Sequence, residues 1–110
     1  HKRDFTYIED VIIGLIKILE KDYKKDPLHQ VFNFGNDVPI KLMDFIQILE
    51  EIIGKKSLKK FVSIQKGDVE ETHADMTLFD DNFNYTPTTD VQKGLESFVA
   101  WYKDYYFKNV

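Results

Sequence analysis

Two apolar periods alternate along this chain, and their order limits what it can fold into. Phe5 to Ile8 is a run of aromatic and β-branched residues, the pattern of a short strand. The period then changes: Val11, Ile12, Leu15, Ile16 and Leu19 recur at helical spacing. Asp10 is placed to cap that helix, and Asp26-Pro27 to end its region, because the residue before proline avoids the helical basin. Val31 to Phe34 predicts a second strand, followed by turn chemistry at Gly35-Asn36-Asp37. Leu42, Phe45, Ile46, Leu49 and Ile53 form the stripe of a second helix, with Gly54 to close it. Phe61 to Ile64 predicts a third strand, which Gly67 breaks. Asp75 is expected to cap a short helix carrying Leu78, Phe79 and Phe83, stopped by Asn84 and Pro87. Thr89 and Gln92 make a capping box for a last helix with Val91, Leu95, Phe98, Tyr102 and Tyr105 on one face. Strand-helix-strand-helix-strand-helix-helix is the order of an α/β layer structure, here three short strands and about four helices.

Length and composition narrow the class. A second independent core is not expected in 110 residues, so 1–110 is read as a single domain. The 43% hydrophobic and 15% aromatic content suits a packed core rather than disorder. Fifteen basic against nineteen acidic residues leave a net charge of -4, which does not favour nucleic acid. The lysines at 21, 24 and 25, and at 55, 56, 59 and 60, read as solvated helix ends. Without cysteine there is no disulfide or thiolate metal site, which suits a cytoplasmic location. No apolar run approaches the roughly 20 residues that span a bilayer, so no membrane partner is expected. The start at His1-Lys2-Arg3-Asp4, without Met, reads as that of an excised piece.

Most of the chemistry-bearing residues have ordinary explanations. Asp68, Glu70, Glu71, His73 and Asp75 are dense in oxygen donors, but their spacing matches neither a calcium loop nor a zinc signature, and no metal is assigned. Ser57, Ser63 and Ser97 lie in no nucleophile motif, and His29 and His73 are isolated histidines. Two segments hold more. Arg3, just ahead of the first apolar run, offers a planar fork of donors suited to phosphate or carboxylate, or else a surface pair with Asp4. Gln65-Lys66-Gly67-Asp68 is either a strand-ending turn or a place where glycine lets the backbone approach a ligand whose hydroxyls Asp68 accepts from.

Arg3 to Asp10 closely resembles a segment of the UDP-glucuronate 4-epimerases, which belong to the extended short-chain dehydrogenase/reductases and include members of capsule biosynthesis. Val31-Phe32-Asn33-Phe34-Gly35-Asn36, Leu42-Met43-Asp44-Phe45, Gly67-Asp68-Val69, Thr72-His73-Ala74-Asp75, Tyr85-Thr86-Pro87 and Gly94-Leu95 through Trp101-Tyr102 are similar to further segments of that family in the same order. The likeness covers nearly the whole chain, and matches in order are more specific than any one motif.

The resemblance implies a small C-terminal, substrate-binding region without the Rossmann domain. Arg3 would contact the diphosphate or the sugar carboxylate of a UDP-sugar, and Asp68 the ribose. Gln65 stands where related epimerases often carry a phosphate-binding arginine, a charge glutamine does not supply. The family's NAD loop and Tyr-x-x-x-Lys pair are absent: no G-x-G-x-x-G occurs, and none of the six tyrosines has a lysine four residues on. No catalytic or cofactor-binding residue is therefore expected here. NAD would be held by an N-terminal Rossmann domain, and the chain alone would bind UDP-sugar without turning it over. The alternative is a standalone α/β interaction domain derived from the same region. Self-association is expected through Val31-Phe32-Asn33-Phe34, an apolar edge deprived of its sheet.

Overall fold

The computed structural model describes residues 1–21 and 29–108. Its elements run β1 (Lys2–Arg3), α1 (Ile8–Glu20), β2 (Ile40–Lys41), α2 (Leu42–Ile53), α3 (Thr77–Phe83) and α4 (Val91–Phe107). The four helices fall where the apolar stripes place them. The predicted stop at Asp26-Pro27 lies outside the described residues.

The extended segments differ from expectation. The sheet has two antiparallel strands, with Lys2 opposite Lys41 and Arg3 opposite Ile40. A parallel bridge adds Glu71 beside Lys2. None of the three predicted strands forms. Phe5 to Tyr7 is unladdered, with Tyr7 extended, and Ile8 already opens α1. Val31 to Phe34 alternates as a strand would, with Phe32 and Phe34 turned inward, yet has no strand beside it among the described residues. Phe61 and Ile64 stand 78% and 57% exposed. A strand needs a hydrogen-bonding neighbour, and β-branched or aromatic composition reports only fitness for a pleated surface.

The capping assignments shift too. Tyr7 occupies the N-cap of α1, and Asp10 lies in the first turn, 2% exposed. Its carboxylate reaches across the fold, accepting from the Tyr85 hydroxyl (3.2 Å) and the Thr89 amide (3.1 Å). Asp90, not Thr89, caps α4, its Oδ1 accepting from the Lys93 amide at 2.8 Å. Asp75 accepts from the Thr77 amide at 2.9 Å, with Met76 at the N-cap of α3. Gly54 and Asn84 close α2 and α3 in left-handed conformations, as expected.

The core is small. Met76, Phe79 and Phe83 make its centre, with Phe32, Phe34, Ile18 and Tyr85 packed against them. Phe34 meets Phe79 edge-on at 4.9 Å, and Phe32 meets Phe83 at 5.1 Å. The two rings expected to template self-association are thus covered by α3 of the same chain. On α4 the buried residues are Val91, Gly94, Leu95 and Val99. Phe98, Tyr102 and Tyr105 of the predicted face are exposed.

Candidate ligand-binding site

Arg3 sits in β1, whose backbone is gripped on both sides. The Lys2 amide donates to the Glu70 carbonyl at 2.8 Å, and the Thr72 amide donates back to Lys2 at 3.1 Å. This brings the 68–72 segment alongside β1. The Arg3 guanidinium then donates through Nη2 to Asp68 Oδ1 at 3.2 Å, and through Nη1 to the carbonyls of Lys2 (2.8 Å) and Glu70 (3.4 Å). Arg3 therefore pairs with Asp68 across the fold, not with its neighbour Asp4. Only one carboxylate oxygen is engaged, so the pair lacks the two-bond geometry that makes such contacts strong. Part of the five-donor fork remains for a ligand.

Asp68 is presented by a tight turn. Its amide donates to the Gln65 carbonyl at 3.1 Å, and Gly67 takes φ +90°, a region other residues rarely enter. His1 Nε2 lies 3.8 Å from the other Asp68 oxygen. Of the three expected contact residues, Arg3 and Asp68 meet directly. Gln65 contributes its carbonyl to the turn. Lys2 lines an open groove of about 660 Å³ with Lys41, Phe61, Ile64 and Glu70, and Arg3 is not among that groove's walls.

The acidic run divides among separate partners. Asp68 takes Arg3, His73 pairs with Asp37, and Asp75 takes the Thr77 amide. Among the described residues no three His, Asp or Glu side chains gather as metal ligands. The Asp37 hydrogen bond raises the His73 imidazole above its ordinary value, and the charges of Asp37, Asp4 and Glu71 add to it. Thr77 holds the Asp75 carboxyl below the usual range. Away from the site, Lys59 Nζ at 2.8 Å, with the Ser57 amide, holds Glu50 low. Burial and then the Asp10 carboxylate push the Tyr85 hydroxyl up to about 12.

Sequence reasoning missed Asp4. Its carboxylate accepts from the amides of Asn36 (2.9 Å), Asp37 (3.1 Å) and Ala74 (2.9 Å), and its own amide donates to Thr72 Oγ1 at 3.1 Å. An aspartate beside an arginine looks like a charge partner. The three amides it serves lie 32, 33 and 70 residues away, and no local pattern announces them.

No protein-family profile matches the chain. It is 40% identical over 101 residues to an uncharacterized protein of Methanocaldococcus jannaschii, covering 92% of this chain and 30% of that protein. It is 39% identical over 114 residues to UDP-glucuronate 4-epimerase 4 of Arabidopsis thaliana, covering 94% and 26% respectively. Among solved structures it matches UDP-glucuronic acid 4-epimerase from Bacillus cereus, in complex with UDP-glucuronic acid and NAD, with a TM-score of 0.82 and 35% identity. That match covers 94% of this chain and 32% of the other. The chain thus spans about a third or less of the length of these relatives.

Proposed function

We propose that this chain, related over nearly its whole length to the C-terminal region of UDP-glucuronate 4-epimerases, is the UDP-sugar-binding part of such an enzyme. The observation that carries the reading is the meeting of Arg3 with Asp68 on the Gly67 turn. A guanidinium with spare donors suits the diphosphate or the sugar carboxylate, and the adjacent carboxylate suits ribose hydroxyls. Gln65 offers no charge, so Arg3 carries the anion contact alone of the three. The parent reaction is NAD-dependent inversion at C4 of UDP-glucuronate, giving UDP-galacturonate, in the cytoplasm. NAD and the catalytic Tyr-x-x-x-Lys pair belong to a Rossmann domain outside these residues.

The exposed apolar surface supports a large partner. Ile8, Ile12, Leu15, Ile16 and Leu19 form a stripe along α1, each at least 46% exposed. Contiguous apolar surface of this kind usually marks an interface. In our reading the Rossmann domain covers it, and the isolated chain self-associates through it. The same stripe is what a standalone interaction domain would show, and ligand binding separates the two.

Calorimetric titration with UDP-glucuronate, UDP and a duplex oligonucleotide tests the assignment. UDP and UDP-glucuronate are expected to bind, and DNA is not. Arg3→Ala weakens UDP-glucuronate about tenfold or more, the equivalent of losing a charged hydrogen bond of about 1.5–3 kcal/mol. Lys2→Ala, in a groove that excludes Arg3, changes it little. Equal small effects would make Arg3 a surface residue, and self-association without nucleotide binding would favour the interaction domain. The chain with added NAD yields no UDP-galacturonate, because neither a hydride acceptor site nor a base pair is present. Conversion by a clean preparation would refute that.

A further inference from the structure

We propose that Asp4 is the positioning residue of the Arg3–Asp68 site, its carboxylate clamping two loops in the register that sets the guanidinium against Asp68. The inference rests on reading that pair as the nucleotide-sugar contact. Asp4 follows Arg3 directly, and no hydrogen bond joins their side chains among the described residues. It acts through the backbone. One oxygen takes the Asn36 amide, and the other takes the amides of Asp37 and Ala74. The Asp4 amide fastens Thr72. With the two β1 hydrogen bonds to Glu70 and Thr72, this ties the segment that presents Asp68 to the segment that presents Arg3.

The crowding around the clamp shows how closely these pieces are matched. A Cβ on Gly35 would fall 2.7 Å from Asp4 Oδ2 and 2.6 Å from the Ala74 side chain. Asp37, in the same turn, adopts φ +60°, a left-handed conformation that aspartate enters more readily than most residues. Asp4 holds its amide, and His73 holds its side chain. The chemistry needs a carboxylate. Three converging N–H groups require an acceptor on both oxygens, and asparagine presents a donor on one side at the same size.

The test compares the native chain with Asp4→Asn, Arg3→Ala and the double variant by calorimetric titration of UDP, each first shown to keep its near-ultraviolet circular dichroism. Asp4→Asn is expected to weaken UDP about tenfold. The double variant should bind no worse than Arg3→Ala alone, because Asp4 acts through Arg3. Additive losses would mark Asp4 as a general structural residue and overturn the proposal. A second readout does not depend on UDP. The Arg3 guanidinium proton resonances of the native chain should show pairing with Asp68, and Asp4→Asn should shift or broaden them. Resonances that stay in place would also overturn it. Should Asp4→Asn fail to fold, Thr72→Val, which removes one tie, takes its place and is expected to move the same resonances by less. A native chain that binds no UDP defeats the proposed function. The resonance experiment then decides the role of Asp4 by itself.

Discussion

His73 and Asp37 are both about half exposed, yet they join two loops that Asp4 also holds. The pair makes a pH-dependent contribution whose sign is fixed. Asp37 raises the folded-state value of the imidazole above 6.5, so the stabilisation is complete below that value and is lost as pH rises through the folded value. The melting temperature of the native chain should fall across that window, and His73→Gln should remove this component. An unchanged profile in the variant would assign the pH dependence elsewhere. A different residue-scale test concerns the buried carboxylate of Asp10. Tyr85 and the Thr89 amide satisfy it, so Tyr85→Phe, which removes one donor, should cost about 1–2 kcal/mol in denaturant unfolding.

Helices were legible because each carries its own hydrogen bonds, and apolar residues at helical spacing give the period away whether or not this chain buries them. Their caps were less so. Thr89 and Gln92 matched a capping box, but Thr89 donates its amide to Asp10, and Gln92 bonds to Glu96 instead. Asp90 takes the cap. Asp90→Ala should therefore destabilise the fold by about 1 kcal/mol, while Thr89→Ala should stay within about 0.5 kcal/mol. Chemical denaturation of the two variants side by side checks the reassignment, and the reverse order would restore Thr89. Strands were not legible in the same way. A two-residue strand at Lys2–Arg3 has no periodicity to detect, and the apolar runs at 31–34 and 61–64 lack ladder partners among the described residues.

The described molecule is flat and thinly cored. Its Cα radius of gyration is 17.5 Å, against about 13 Å for a compact domain of this length. The extents are 53 × 40 × 20 Å. Two kinds of apolar residue follow from that shape. Phe32 lies against Phe79 and Phe83, so Phe32→Ala should cost about 3 kcal/mol by calorimetry or denaturant melting. Leu19 is 82% exposed, so Leu19→Lys should leave stability within about 0.5 kcal/mol. If the chain self-associates through the α1 stripe, sedimentation over a wide concentration range should show Leu19→Lys shifted toward monomer. An association unaffected by that change would place the contact on another face.

By itself the sequence determined the four helices, the apolar stripes and the likeness to UDP-glucuronate 4-epimerases, because each is written in local spacing or in segments that keep their order. It also marked Arg3 and Asp68 as candidates. Tertiary structure decided which strands exist, which carboxylate answers Arg3, and what Asp4 and Asp10 do. Those outcomes depend on hydrogen bonds between residues from 32 to 79 positions apart. A donor or acceptor finds such a partner only when packing has brought the segments together, and neither residue carries a local sign of the other.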